Sequence, residues 1–296
     1  MNIGFIGYGD ASFALSSGFR KEDQSIDLIA YDPMAFHSNF KELIQTRSKS
    51  ENVQIVNSME EVCKQTDLLF VAVPATKALE VAKEIKPFIS EKHIYVDVTA
   101  ASPEVKRKAH FEVRKSEALF VDCAMVGPLL VEKHKVPMLI SGPGVEVLAE
   151  KLKNYHMNLK IISGNPGDST AIKLVRSIYM KGFATLNIEM LQAARTFGVE
   201  DTVIEGIGHT MDGDSYESSM NRMVTGTSIH AERRSAELDG SITMLEEANI
   251  HSVMATAVKE KLDFISSFGL RDSFSGEAPE QWEDVIDSMS QSKTKR

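Results

Sequence analysis

The stretch GDSTAIKLVRSIYMKG, residues 167–182, sets Lys173, Arg176 and Ser177 about one helical turn apart in a run that is otherwise apolar on most of its sides. At helical spacing, positions 173, 176, 177 and 180 fall along one stripe. An ammonium there offers three donors to a substrate carboxylate or hydroxyl. Partial desolvation and neighbouring positive charge would favour the neutral amine, which could then remove a hydroxyl proton. Arg176 supplies such a charge, together with a fork suited to a carboxylate or phosphate, and Ser177 adds a short polar partner. The plainer alternative is a lysine whose stem lies along an apolar helix while its ammonium reaches water, with Asp168 nearby.

A second chemical pattern opens the chain. In GFIGYGDASFA, residues 4–14, Gly7 and Gly9 follow a strand-like run directly, and Ser12 stands where a third small residue is expected. A glycine at a tight turn, and another that lets backbone approach a pyrophosphate, would seat phosphates at a helix N-terminus. Tyr8, Asp10 and Ala11 complete that turn. Asp32 lies 25 residues after Gly7, near the offset at which a carboxylate bonds the adenosine ribose of a dinucleotide. Its charge would repel a 2′-phosphate, so NAD is favoured over NADP. The competing reading is an ordinary strand-to-helix turn, with Asp32 capping a helix before Pro33. Val73, Pro74 and Thr76, after FVAV, and Thr99, after IYVDV, occupy further strand ends where a cofactor could lie.

The elements that must position these residues follow from periodicity. Runs at 2–6, 26–31, 53–56, 67–73, 94–98, 118–123, 136–141 and 159–163 read as strands, continuous near the start as in a parallel sheet covered on both faces. SMEEVCKQ and ATKALEVAKEI read as helices between them, and Ser102 with Pro103 as a helix cap. From Asp168 to Phe197 there is no proline and a single glycine, Gly182, which predicts one long helix with little solvated surface. Strand-like runs do not return. Helical spacing at 229–248 and 252–267 completes an α/β Rossmann-type domain, residues 1–166, followed by an all-helical domain, residues 167–296. A cleft between the two could receive a small polar substrate near the lysine. The tail QSKTKR is expected to fray.

Composition limits the partners. Lys and Arg total 33 against 42 Asp and Glu, a net charge of −9, so no global basic field attracts nucleic acid or an anionic membrane. Cys63 and Cys123 stand in separate segments without CxxC spacing, which suits a reducing cytoplasm. No signal-peptide pattern or long apolar run is read. The reading is a soluble intracellular protein.

Taken together, these motifs resemble the β-hydroxyacid dehydrogenase family, which includes 3-hydroxyisobutyrate and 6-phosphogluconate dehydrogenases, in a divergent branch. The resemblance covers roughly residues 2–250. It implies oxidation of a hydroxyl on a small anionic hydroxy acid or sugar acid with NAD or NADP, sometimes with decarboxylation, without a metal, in homodimers or higher oligomers. GDSTAIKLVRS aligns with the catalytic helix, so the resemblance makes Lys173 the general base or acid. DVTAASP and DCAMVGPL, residues 122–129, resemble the substrate segments, making Thr99, Gly127, Arg176 and Ser177 substrate-binding candidates. Within DCAMVGPL, Val126 stands where relatives carry a serine, and Pro128 replaces a second glycine, removing a hydroxyl and an N–H. Arg176 is a candidate to restore the anion contact. Arg233, in HAERRSAELDG, is a candidate distal contact; a solvated charged face with His230, Arg234 and Glu237 is the alternative. Two other functions stay open: a nicotinamide-dependent imine reductase with Lys173 as proton donor, and a non-enzymatic NAD-binding or redox-sensing protein.

Overall fold

The computed structural model describes residues 1–36, 38–162 and 165–293 and divides into two compact units, Met1–Ser177 and Ile178–Arg296. Ser163, at the end of the last expected strand, and Thr294 to Arg296, in the tail expected to fray, lie outside the described residues.

In the first unit the continuous apolar runs form β1 (Asn2–Ile6), β2 (Asp27–Tyr31), β3 (Val53–Ile55), β4 (Leu68–Val71), β5 (Ile94–Asp97) and β6 (Leu119–Met125). They continue with β7 (Met138–Ser141) and β8 (Leu159–Ile161). The sheet order is β3-β2-β1-β4-β5-β6-β7-β8. Between the strands run α1 (Asp10–Glu22), α2 (Ser38–Ser50), α3 (Met59–Gln65), α4 (Ala78–Ile85), α5 (Pro103–Val113), α6 (Leu129–Glu132) and α7 (Val145–Leu152). Successive residues feed opposite faces. Phe5, Leu28, Phe70 and Val96 build one core, while Ile6, Ile29, Leu69 and Tyr95 build the other. Both faces are dry, which is why the strands are continuous rather than alternating. The chain reverses its direction of winding between β1 and β4, opening a crevice at their C-terminal ends.

One departure from an all-parallel sheet matters. β6 runs past its partner, Asp122 pairing with Asp97 at the end of β5. β7 then returns antiparallel, Met138 opposite Met125 and Ser141 opposite Asp122, and β8 follows β7 in parallel. The run VPMLIS gives no local sign of this reversal. Its effect is to bring the chain back beside Asp122, where α8 (Asp168–Phe197) begins.

That junction is held by ions without water. Lys106, on α5, is fully buried, with its Nζ 2.7 Å from Asp97 and 3.2 Å from Asp122, both themselves fully buried. Nζ also donates to the Asp97 carbonyl at 2.9 Å. Asp122 in turn accepts from the N–H groups of Gly167 (3.1 Å) and Thr170 (3.0 Å) and from the Thr170 hydroxyl (2.7 Å). A strand carboxylate thus caps the first turn of α8, satisfying donors that a helix start leaves unpaired. These bonds tie Gly167 and Thr170, at the start of α8, to the sheet of the first unit.

The second unit contains the rest of α8, then α9 (Glu200–Met211), α10 (Tyr216–Glu247), α11 (Val253–Ser266), α12 (Leu270–Ser273) and α13 (Trp282–Lys293). The buried Glu189 carboxylate accepts from Met254 and Ala255 N–H, both at 2.8 Å, capping α11 across the bundle. Asn221 accepts from Trp282 N–H and donates to the Glu280 carbonyl, each at 2.8 Å, tying α13 to α10. The expectation that α8 has little solvated surface does not hold for the single chain: Val175, Ile178 and Ile188 are 67%, 74% and 57% exposed. No helix among the described residues is long and apolar enough to cross a membrane.

Removing Lys106 would leave two buried carboxylates facing each other. Lys106→Ala is expected to lower unfolding stability by about 3–5 kcal/mol, the usual cost of breaking a buried pair. Adding Asp97→Asn and Asp122→Asn should recover part of it. Urea denaturation of the single and triple variants measures both; a loss under about 1 kcal/mol in the single variant would contradict the account.

Candidate dinucleotide site and lysine helix

The glycine turn is built as its spacing predicts. Gly7 has φ +85°, and a Cβ there would sit 2.5 Å from the Ala72 carbonyl oxygen, so only glycine fits. Its N–H donates to Tyr31 O at 2.8 Å. Ser12, buried at the third small position, donates its hydroxyl to Gly7 O at 2.6 Å and stitches α1 back to the turn. A Cβ at Gly9 would meet nothing within 4 Å, so backbone there is open to an approaching ligand.

Asp32 is engaged as the capping reading expects. One carboxylate oxygen accepts from Tyr8 N–H at 2.7 Å, closing β2 onto the glycine turn. The other accepts from Met34 N–H at 2.8 Å, capping the short turn at Pro33–Phe36. Each oxygen retains lone-pair capacity for a ribose hydroxyl. The Tyr8 side chain points into the core, where its hydroxyl meets Ser16 Oγ at 2.8 Å and burial pushes its pKa up to about 12. Only the Tyr8 backbone faces the turn.

Gly7, Tyr8, Gly9, Asp10, Asp32, Val73 and Pro74 line one cavity of about 720 Å³ at the ends of β1 and β4. Its size, the open backbone at Gly9 and the carboxylate at Asp32 fit a dinucleotide. Ala11, Thr76 and Thr99 are not part of that lining. Thr99 is buried, its N–H donating to Asp97 Oδ1 at 2.9 Å and its hydroxyl lacking a partner. The wall also includes Leu43 and Arg47 from α2 and Lys77 after Pro74, which sequence reading missed. They belong to segments with no phosphate-binding spacing, and no local signal marks them.

Lys173 is half-buried and lies one turn beyond the Thr170 that Asp122 caps. It is close enough to Cys123, on β6, for its charge to lower that thiol's pKa slightly. Burial dominates, pushing Cys123 up to about 12. Arg176 is exposed and Ser177 half-buried. In the segment after β6, Val126 N–H already donates to Pro137 O at 2.8 Å. Pro128, with no N–H, stands at the start of α6. Gly127 is exposed, and a Cβ there would come within 2.9 Å of the Pro137 ring. In the second unit Arg233 pairs with Glu237 at 2.6 Å on an exposed face of α10. Asp168, read as a neighbour for the lysine, accepts from Asn165 N–H at 3.0 Å.

Comparison with known proteins agrees with this architecture. Residues 2–101 match the family described as NADP oxidoreductase, coenzyme F420-dependent. Residues 194–265 match a domain of unknown function, DUF1932. An uncharacterized 28.5 kDa protein of Methanothermus fervidus is 28% identical over 265 residues, covering 90% of this chain and 99% of its own. A solved conserved protein of unknown function, described as structurally similar to 3-hydroxyacid dehydrogenases, is 29% identical. It covers 93% of this chain and 99% of its own, with a TM-score of 0.62. The imine reductase of Myxococcus stipitatus in complex with NADP+ shares the fold at 15% identity, TM-score 0.69, covering 91% of this chain and 95% of its own. The chain has the fold of these proteins, a Rossmann-type first domain matched over residues 2–101 by an oxidoreductase family, a long helix and an all-helical second domain.

Both cysteines are buried and free, and burial pushes Cys63 as well as Cys123 up to about 12. At pH 9 only about 0.1% of such a thiol is ionised, so neither is a ready nucleophile. Titration of the native protein with a thiol-specific disulfide reagent at pH 8–9 should give almost no fast reaction, and two thiols per chain after unfolding. A fast native thiol would contradict the burial argument.

Proposed function

We propose that the chain is a nicotinamide-dependent reductase of C=N bonds, with Lys173 as the proton donor. One observation carries the choice of an imine over a hydroxy acid. The segment after β6 offers an anion few donors: Val126 has no hydroxyl and its N–H is engaged by Pro137, and Pro128 has no N–H at all. A carboxylate substrate needs such donors, whereas an imine does not. The likeness in fold to an imine reductase, across nine-tenths of the chain, supports the same reading.

A nicotinamide dinucleotide, when bound in the cavity, would supply the hydride. The chain's own groups do the rest. The glycine turn offers open backbone to the phosphates, and Asp32 offers acceptors to the ribose hydroxyls, a carboxylate that favours NADH over NADPH. Lys173 holds its proton toward the substrate nitrogen. As a C–H bond forms at the imine carbon, the C=N π pair becomes the new N–H bond with that proton. Arg176, exposed one turn on, would serve an anionic substrate. Oxidation of hydroxy acids, with Lys173 working as base, is the second reading it supports.

A second copy of the chain is proposed to cover the exposed apolar residues of α8, since Val175, Ile178 and Ile188 would otherwise stay in water. Sedimentation should find a dimer or higher oligomer. A monomer at micromolar concentration would remove this part of the proposal.

The functional test follows absorbance of the reduced nicotinamide ring with cyclic imines, and of the oxidised cofactor with hydroxy acids and sugar acids. Turnover of imines with little hydroxy-acid oxidation is expected; the reverse would overturn the choice. Lys173→Ala should lower kcat/KM at least about a hundredfold while leaving dinucleotide affinity unchanged. Dinucleotide binding without turnover on either panel would leave a binding protein rather than an enzyme.

A further inference from the structure

The charges around the cavity do not suit a pyrophosphate until one residue is counted. Its wall carries Asp10, Asp32, Glu80 and Glu84 against two cations, Arg47 and Lys77. Lys77 is already engaged, its Nζ bonding both Glu80 carboxylate oxygens at 2.8 and 2.9 Å. Asp10 is the first residue of α1, so a carboxylate stands at the helix N-terminus toward which the phosphates should be drawn. Like charge there opposes binding.

Arg47 meets that carboxylate. From α2 it reaches across to place Nη2 2.6 Å from Asp10 Oδ1, and its guanidinium lies 5.1 Å over the Phe13 ring. The side chain is only 20% exposed, while Asp10 is 70% exposed. Among the described residues its guanidinium donates only to Asp10, leaving donors of a five-donor fork for a second anion. Stacking and the ion pair hold it in place, so little side-chain freedom is lost when an anion arrives.

We propose that Arg47 binds the pyrophosphate of the dinucleotide, with Asp10 holding the guanidinium beside the glycine turn. This rests on the dinucleotide reading of the cavity and adds to it the residue that neutralises the phosphates. Asp10 then acts as a positioning residue.

Titration of NADH, NADPH and ADP-ribose into the parent chain, Arg47→Ala, Arg47→Gln and Asp10→Asn tests it, with thermal melting to confirm folding. Both Arg47 variants should weaken all three ligands by about tenfold or more, and to similar extents, as expected for a lost charge-assisted bond. Asp10→Asn should change affinity by less than about threefold or improve it. Affinities unchanged in folded Arg47→Gln would overturn the role of Arg47 while leaving the cavity's reading intact. A loss confined to NADPH would also overturn it, moving the contact to the ribose phosphate. A parent chain that binds none of the three would overturn the dinucleotide reading and this proposal together.

Discussion

One lysine shared between two carboxylates, all three out of reach of water, fixes the junction on which the first unit depends. Lys106 draws Asp97 at the end of β5 and Asp122 within β6 to a single point. The pairing offsets the cost of their burial, because an isolated ion in the interior loses far more hydration than packing returns. Paired, they become rigid acceptors. Asp97 bends the loop that carries Thr99, and Asp122 receives the opening turn of α8. The lysine proposed for proton transfer therefore follows a helix start held to a strand end by a short chain of hydrogen bonds. This matters because proton transfer depends on geometry held to fractions of an ångström.

The cofactor end obeys a different economy. Backbone N–H groups and a helix dipole are weak attractions, and they compete with four carboxylates around the same cavity. The glycine turn supplies access, and the charge balance is set from α2, a helix distant in sequence. Such a division is reasonable physically: a turn made of small residues can approach a ligand closely but cannot itself carry a compensating cation.

Much of the framework was legible in the amino-acid order because it is written in local pattern. The eight strand runs agree with the observed strands to within a few residues, and α8 spans Asp168–Phe197 as the absence of proline predicts. Ser102 caps α5 through Val105 N–H. What escaped were features that exist only between distant residues. Lys106 sits in PEVKRKAHFEV, where neighbouring Arg107 and Lys108 make it look like part of a solvated face; only the folded chain shows it buried. Arg47 and Asp10 are separated by 37 residues. The reversal of β7 is equally silent, since a short buried strand has the same composition whichever way it runs. Thr99 shows the converse limit: it does follow a strand, but it is buried, its N–H is held by Asp97, and it is not part of the cavity lining.

Tyr8 carries a final consequence. It occupies the position between the two glycines that the motif leaves free, yet its ring is sunk in the core and its hydroxyl is bonded to Ser16, while Ser12 grips the turn from the same helix. Loop and helix are therefore welded at two points before any ligand arrives. The turn proposed to cradle phosphates is pre-organised, so occupancy should add little order to this loop, and the residue between the glycines is as constrained as they are.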